Sequence, residues 1–409
     1  MQSVGEEVWT PASLLSRLER REKFFVFDVR NRDEFERFRL EGRIPLPALN
    51  LPYFELLESG GKDDMVESIV ACVERDLRDK LPAREPILAV CAKGGTSEFV
   101  AQALRQVGYP CVNLEHGMKG WGEYYAVRTV LESGDLSVYQ VSRPARGCLS
   151  YVIASGEHAN VIDPLRHLEP YLSLAKQHGS NIERVIDTHG HADHVSGGPA
   201  LAAATGATYH LHPYDAVHPI DMLPATLNYD AISANDTFRI GPHELKVMHV
   251  PGHTLGLVAL LLDGQYLIAG DSIFVNSVSR PDLGGQAESW ARLHTKSLRR
   301  LLNLPGSTRL LPGHFSSLEE GGDAGIFSAT LDELKSSNEG LRTLERDSDD
   351  EYVRYLLDSL PKFNPDYVQI KRVNAGLVSP PEEDIETLEL GKNVCALSQA
   401  YKAPAGGAS

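Results

Sequence analysis

Three histidines and an aspartate fall within six positions of the chain, directly after an apolar stretch. They form the pattern His-x-His-x-Asp-His from His189 to His194, which follows Val185 and Ile186. Imidazole and carboxylate together suit zinc or iron better than calcium or magnesium, which prefer shells made only of oxygen. Burying these groups without a metal would leave several of them unpaired, at about 1–3 kcal/mol each. The pattern therefore predicts a zinc or iron site.

Further candidate ligands follow apolar runs downstream. His253 stands shortly after residues 246–250, Asp271 follows the strand-like run 266–269, and His314 follows Leu311-Pro312-Gly313. Strand ends in an α/β protein place side chains at a common edge, so we expect these groups to join the first cluster. We interpret four other histidines as ordinary surface or core residues, namely His210, His212, His218 and His243.

Cys91 occupies a second position suited to chemistry. The apolar run 87–90 predicts a buried strand, residues 92–96 a tight glycine-rich loop, and the apolar spacing after Ser97 a helix. Backbone N–H groups in such a loop form a cradle that stabilises a thiolate or persulfide. The alternative is a buried structural cysteine. The candidate binding residues of the loop are Lys93, Gly94, Gly95 and Thr96.

Composition limits the possible partners. The 409 residues predict two or three domains. A net charge of −16 argues against a nucleic-acid partner, which would require a basic face. We expect no membrane segment and a cytoplasmic protein, because no apolar run is long enough to span a bilayer. The five cysteines are widely spaced and lack a Cys-x-x-Cys pair, which predicts free thiols.

The ligand series of His189, His191, Asp193, His194, His253, Asp271 and His314 resembles that of the metallo-β-lactamase fold, over about residues 136–315. The resemblance implies an α/β protein with an αββα sandwich, two mixed sheets covered by helices. This fold supports hydrolases, oxidases and dioxygenases, so the resemblance alone does not decide the reaction.

Residues 8–126 resemble a single rhodanese domain. The resemblance rests on Asp28-Val29-Arg30, on Cys91 with its loop, and on His116-Gly117-Met118 before Trp121. It implies that Cys91 accepts a sulfane sulfur as a persulfide and passes it to another thiol. Thr96 stands where the family usually has a loop arginine. The alternative is therefore a module that binds persulfide without turning it over.

A thiol that carries sulfur, fused to such a metal site, resembles the glutathione-dependent persulfide dioxygenases. The segment Ser279-Arg280-Pro281-Asp282-Leu283 is similar to a motif of that group. The resemblance implies one Fe(II) per chain held by His189, His253 and Asp271, with positions left open for substrate and O2. Glutathione persulfide and O2 would give sulfite and glutathione. Arg280 is a candidate for anchoring a glutathione carboxylate, with a loop-bracing ion pair as the equal alternative.

Under this interpretation the other four ligand-type residues orient the iron ligands and waters. They are His191, Asp193, His194 and His314. The main alternative is a hydroxyacylglutathione hydrolase, in which all seven residues hold two Zn(II) per chain and a bridging hydroxide attacks a thioester. Low-molecular-weight thiols are partners under either reading, and the sequence leaves a homo-oligomer open.

The sequence predicts five segments. Residues 1–126 form the rhodanese-like domain, 127–135 a short polar linker, and 136–330 the metal-binding domain. Residues 331–402 form a helical extension of that domain, and 403–409 a disordered tail. Because the linker is short, we expect the two domains to pack against each other.

Overall fold

The computed structural model describes residues 7–401, beginning with a parallel sheet flanked by helices. Its strands are β1 (Val8–Trp9), β2 (Phe25–Asp28), β3 (Ala48–Asn50), β4 (Ile87–Val90) and β5 (Cys111–Leu114). They lie in the order β1-β5-β4-β2-β3, and every neighbouring pair is parallel. The helices are α1 (Pro11–Glu19), α2 (Arg32–Arg37), α3 (Tyr53–Gly60), α4 (Met65–Cys72, continued by a π-helical turn Val73–Leu77), α5 (Gly95–Gln106) and α6 (Gly117–Glu123). Because helices cover this sheet, all four residues of the central strand β4 are buried.

Two mixed sheets follow. The first contains β6 (Ala126–Ser133), β7 (Leu136–Arg143), β8 (Cys148–Ser155), β9 (His158–Ile162), β10 (Asn181–Ile186), β11 (Thr208–Leu211) and β12 (Asp230–Ala231), in reverse order across the sheet. The second contains, in chain order across the sheet, β13 (Thr237–Ile240), β14 (His243–His249), β15 (Val258–Leu262), β16 (Tyr266–Gly270), β17 (Arg309–Pro312) and β18 (Ala329–Thr330). The helices α7 (Glu169–His178) and α8 (Gly198–Thr205) lie on the first sheet, and α9 (Ala287–Leu301) on the second.

The alternation of side chains along β15 shows why the sheets form layers. Leu260 and Leu262 face the first sheet, whereas Ala259 faces the α9 side. Both faces are therefore apolar, since each strand residue points to the side opposite its neighbours. The predicted αββα sandwich is confirmed.

The predicted linker 127–135 is wrong in most of its length. Strand β6 covers it up to Ser133 and pairs antiparallel with β7, so that only Gly134 and Asp135 form a turn. An edge strand with one solvent-facing side can be polar and still be held by its backbone hydrogen bonds. Polarity alone therefore did not distinguish this strand from a linker.

The N-terminal region that contains the parallel sheet packs against the rest of the chain, the metal-binding half, as expected. Trp9, Phe38 and Trp121 share one apolar core with Leu136 and Phe315 of the metal-binding half. Ion pairs add to this contact between Arg21 and Glu319 (2.7 Å) and between Lys119 and Glu386 (2.7 Å).

The C-terminal extension is helical, as predicted. It contains α10 (Leu331–Ser337), α11 (Glu339–Arg346), α12 (Asp349–Asp358), α13 (Asp366–Asn374) and α14 (Glu382–Leu388), followed by a 3-10 turn (Ser398–Tyr401). The first three helices share a core with α9, while Tyr367 and Ile370 of α13 pack on Ala192 of the histidine cluster. The predicted disordered tail, residues 403–409, lies outside the described residues.

Within residues 7–401, no helix combines the length and apolarity needed to cross a bilayer.

Candidate metal centre and sulfur site

The ends of four strands bring the predicted ligands together. His189 follows β10, His253 follows β14, Asp271 follows β16 directly, and His314 comes two residues after β17. All four side chains are buried, between 0% and 2% exposed. The loops that carry them meet at one edge of the two sheets.

His189, His253 and Asp271 form one group whose possible ligand atoms lie within 4.8 Å of one another. Asp271 Oδ2 lies 3.4 Å from His253 Nε2 and 3.9 Å from His189 Nε2. These three atoms are buried and have no hydrogen-bond partner among the described residues. Leaving them unpaired would cost about 1–3 kcal/mol each, so the arrangement fits a cation that all three can bind.

Hydrogen bonds fix the orientation of both imidazoles. His253 Nδ1 lies 2.9 Å from the Arg280 carbonyl, which can only accept, so Nδ1 carries the proton. Thr188 Oγ1 donates to Asp163 (2.9 Å) and therefore accepts from His189 Nδ1 (3.0 Å). In a neutral ring each Nε2 then presents its lone pair toward Asp271, which is the tautomer that binds metals.

The charge states of the three converging side chains agree with this arrangement. Burial lowers the pKa of His189 well below its usual value, and burial also lowers the pKa of His253, so both rings are neutral at pH 7. Burial opposes ionisation of Asp271, but the neighbouring His314 outweighs it, so the pKa of Asp271 lies below its ordinary value. The site thus offers two neutral imidazoles and one carboxylate.

His314 is held between two carboxylates. Its Nδ1 donates to Asp271 Oδ1 (2.7 Å) and its Nε2 to Asp193 Oδ2 (2.8 Å). Asp193 also accepts from the Cys148 thiol (3.1 Å) and contacts His194 Nδ1 (3.1 Å). Both ring nitrogens of His314 are thus engaged with oxygen atoms, and the lone pair of Asp271 Oδ2 stays directed at the two free imidazoles.

His191 belongs to a different group. Its Nε2 lies 3.2 Å from Asp163 and 3.7 Å from Asp187, and the three side chains are buried. The structure therefore divides the seven predicted residues into three that converge, three that bind one another with Cys148, and His191 beside two aspartates.

The histidine loop is braced by the C-terminal extension, which the sequence did not indicate. Lys371 Nζ donates to the Gly190 carbonyl (2.6 Å). Asn374 donates to the carbonyls of His191 (2.9 Å) and His194 (2.8 Å), while Glu389 accepts from the Val195 amide (2.7 Å). These partners are backbone groups, and no residue-type pattern marks them. The sequence also did not indicate that Cys148 and Cys395 lie beside histidine and aspartate side chains of the predicted ligand series.

Of the two equal alternatives for Arg280, the structure shows the loop-bracing ion pair. Its side chain is 0% exposed and donates to both carboxylate oxygens of Asp282 (2.6 and 2.7 Å). The guanidinium also donates to three carbonyls of the C-terminal extension, at Pro361, Lys362 and Val394. Arg280 thus fastens its loop and positions His253 through its own carbonyl.

A cavity of about 490 Å3 opens beside the centre. Its wall includes His189, His191 and Lys371, with apolar groups such as Trp290 and Leu255. Lys371 is buried, and burial lowers the pKa of its ammonium. One of its protons binds the Gly190 carbonyl, which leaves two donors for a ligand in the cavity.

Cys91 lies in a separate, largely backbone-built site. It follows β4, is 6% exposed, and its Sγ accepts from the Gly94 amide (3.1 Å). Ser97 Oγ lies 3.2 Å from the sulfur and donates to Asn113 Oδ1 (2.7 Å). Gly94 has a φ of 87° and its absent Cβ would lie 2.9 Å from the His116 nitrogen, so the turn requires glycine.

Helix α5 begins at Gly95, two residues before the predicted start, with Thr96 in its first turn. Lys93 is exposed. All five cysteines are free thiols, as predicted, and burial raises the pKa of Cys111 to about 12. A structural role thus fits Cys111.

Residues 143–314 match the Metallo-beta-lactamase superfamily, and residues 10–124 match the Rhodanese-like domain. A hydroxyacylglutathione hydrolase of Nitrosococcus oceani is 29% identical over 53% of this chain and 74% of its own length. An uncharacterized protein of Aquifex aeolicus is 34% identical over 39% of this chain and 80% of its own. A solved metallo-beta-lactamase from Staphylococcus aureus subsp. aureus COL, 26% identical, superposes with a TM-score of 0.52 over 59% of this chain and 73% of its own.

Proposed function

We propose that this chain, which belongs to the metallo-β-lactamase superfamily over residues 143–314 and carries a rhodanese-like domain over residues 10–124, is a persulfide dioxygenase. Its reaction is GSSH + O2 + H2O → GSH + H2SO3, where GSSH is glutathione persulfide. The observation that carries the proposal is the convergence of three unpartnered atoms from His189, His253 and Asp271.

Two imidazoles and one carboxylate are the donor set typical of mononuclear Fe(II) oxygenases. When bound there, Fe(II) would supply the redox chemistry that joins oxygen to sulfur and leave positions free for substrate. The chain's own residues hold that set rigid. The Arg280 carbonyl and Thr188 fix the rings, and His314 holds Asp271 so that only Oδ2 remains unpartnered.

The cavity beside the centre receives the persulfide. Its apolar lining, which includes Trp290 and Leu255, limits water around a reactive sulfur species. Lys371 takes the place proposed from sequence for Arg280, because its ammonium lies in the cavity wall with donors left for a substrate carboxylate.

The rhodanese-like domain handles the sulfur before oxidation. Cys91 accepts a sulfane sulfur, and the Gly94 amide, which points at the sulfur, stabilises the resulting anion. A small thiol then carries that sulfur to the metal-binding half.

A dizinc thioesterase is the second candidate, and the hydrolase name of the Nitrosococcus oceani relative favours it. That reaction needs the other four residues of the series, among them His191 and His314, as further ligands. His314 contacts the triad through Asp271 Oδ1, but both of its nitrogens are engaged, by Asp271 and Asp193, and His191 Nε2 lies beside Asp163 and Asp187. This arrangement favours one metal over two.

Oxygen uptake tests the choice. Protein loaded anaerobically with Fe(II) is expected to consume O2 and release sulfite when glutathione persulfide is added. Rapid hydrolysis of S-lactoylglutathione without O2 uptake would contradict the proposal and support the thioesterase.

A further inference from the structure

The two imidazoles of the converging triad come from different sheets. His189 follows β10 of the first sheet, whereas His253 follows β14 of the second. Metal–ligand distances in protein sites vary by only about 0.2 Å, so both rings must be held at a fixed separation to share one ion. That separation depends on what joins the two loops that carry the rings.

Asp215 joins these two loops. It lies in the turn after β11 and is not part of the predicted ligand series. Its Oδ2 accepts from the Gly190 amide (2.8 Å) and from Thr254 Oγ1 (2.6 Å), and its Oδ1 accepts from the Gly256 amide (2.9 Å). Gly190 and Thr254 are the residues that directly follow the two imidazole ligands. One carboxylate thus binds both loops next to the rings that they carry.

The loop that carries His253 approaches Asp215 very closely. A Cβ at Gly256 would lie 2.7 Å from Asp215 Cγ and 2.8 Å from the Asp215 amide nitrogen. Any side chain at this position would push the loop away from the carboxylate, so the contact requires glycine. Thr254 is buried, and the carboxylate supplies the acceptor that a buried hydroxyl needs.

The turn that carries Asp215 is itself held in place. The Asp215 amide donates to the His212 carbonyl (2.9 Å), and the His212 ring stacks on His249 with the ring centres 4.4 Å apart. His249 is the last residue of β14, and its Nε2 donates to the Leu255 carbonyl (2.8 Å). The carboxylate is therefore presented to both loops from a braced turn.

Two other contacts of the same region differ from Asp215 in what they join. Lys371 Nζ donates to the Gly190 carbonyl (2.6 Å) and so supports the first loop, whereas Asp215 supports both. The Val258 amide donates to the Thr188 carbonyl (2.9 Å) and joins the two sheets through their backbones. Because this backbone contact remains, we expect a protein altered at Asp215 to fold.

We propose that Asp215 is a positioning residue of the metal centre, whose carboxylate sets the separation of His189 and His253. Its negative charge strengthens the three hydrogen bonds that it accepts, because charge-assisted hydrogen bonds are stronger than neutral ones. The inference rests on the proposed function only in requiring that the triad binds a metal, and it applies to an iron enzyme and to a zinc enzyme alike.

Cobalt binding to the full chain tests this role. The visible absorption spectrum of bound Co(II) reports its coordination geometry, and competition with a chromogenic chelator gives its affinity. In Asp215→Asn one oxygen becomes an NH2 group that cannot accept from an amide, so Co(II) should bind about tenfold more weakly and with a changed spectrum. Thr254→Val should weaken binding about threefold, while Thr254→Ser keeps the hydroxyl and should stay within about twofold. The exposed Asp230→Asn is the matched control and should behave as the parent protein.

Hydrogen exchange shows whether Asp215 links the two loops. Mass spectrometry of peptides from the full chain follows exchange in residues 188–196 and 251–257. Asp215→Asn should raise the exchange rate at least about threefold in both segments, because each loses a hydrogen bond to the carboxylate. Asn374→Ala should raise it only in the first segment, where Asn374 binds the carbonyls of His191 and His194.

Urea unfolding of the same variants separates positioning from a purely structural role. A lower urea midpoint for Asp215→Asn with the cobalt affinity and spectrum of the parent protein would overturn the proposal, and so would unchanged exchange in residues 251–257. If the parent protein binds cobalt and Asp215→Asn binds it equally tightly, this inference alone fails. A parent protein that binds no cobalt would overturn this inference and the proposed function together.

Discussion

The metal centre and the Cys91 loop are built in opposite ways. The centre gathers side chains from the ends of four strands between His189 and His314, and residues as distant as Glu389 brace it. The groups that contact the Cys91 sulfur all lie within residues 91–97, and the nearby segment 113–119 supports this loop through hydrogen bonds to its backbone. A site assembled over long range depends on distant supports, whereas a local loop depends mainly on its own backbone. Distant substitutions should therefore damage the first and spare the second.

The largest effect is expected from Asp271→Asn. It removes the only carboxylate of the converging triad while keeping the size of the side chain. Metal affinity should therefore fall more than about 100-fold, which exceeds the loss of about 10- to 100-fold that is typical when a residue that only hydrogen-bonds to a metal ligand is replaced. Metal content after dialysis, measured by plasma mass spectrometry, checks this. The exposed Asp323→Asn should retain its metal, and persulfide formation on Cys91 should be unchanged in both variants. Full metal retention in Asp271→Asn would show that the ligand assignment is wrong.

Arg280→Ala should destabilise the metal-binding half by about 3 kcal/mol, because it leaves Asp282 and three carbonyls without their donor. Urea unfolding, followed by tryptophan fluorescence, measures the free energy of unfolding. A residue that anchored substrate would behave differently. An unchanged free energy of unfolding with a raised KM for glutathione persulfide would instead support the alternative in which Arg280 binds a glutathione carboxylate.

Asn374→Ala should weaken metal binding about tenfold, since the backbone of the histidine loop loses two donors and the acceptor of the Ser196 amide. Competition with a chromogenic chelator reports the affinity. The exposed Asn303→Ala serves as the matched control. Equal affinities of Asn374→Ala and the parent protein would mean that the extension covers the loop without positioning it.

Cys91→Ser should have the smallest effect on the metal centre. Oxygen uptake with supplied glutathione persulfide should stay within about twofold of the parent rate, while mass spectrometry should find no persulfide at position 91. This outcome follows from the proposed function, in which the two sites share only the sulfur that a small thiol carries between them. Loss of oxygen uptake together with the persulfide would show that the sites act as one.

The residues that could be found from sequence were those with distinctive chemistry. Clustered histidines and aspartates after apolar runs indicated the centre, and the same runs indicated its strands, because ligand type and strand-end position both appear in the sequence. His191 and His314 could not be separated from His189 in this way, since their partners, Asp163 and Asp193, are chosen by the folded loops.

The supports of the centre could not be predicted for a related reason. Lys371, Asn374 and Glu389 bind backbone groups about 180 residues or more earlier in the chain. A hydrogen bond to a backbone group requires no particular residue type at that position, so the sequence does not mark it. The sequence left two roles open for Arg280 because a motif records which residue stands at a position and not which way it points. Strand β6 was missed because an edge strand can be polar.

Counting the bound metal tests the central claim most directly. The full chain is reconstituted anaerobically with Fe(II) and, separately, with Zn(II), passed through a desalting column, and its metal per chain is measured by plasma mass spectrometry. Because both nitrogens of His314 are engaged by carboxylates and His191 lies beside Asp163 and Asp187, about one metal per chain is expected with either ion. Only the iron form should consume O2 with glutathione persulfide. Two tightly bound zinc ions per chain, with thioesterase activity and no oxygen uptake by the iron form, would contradict the account.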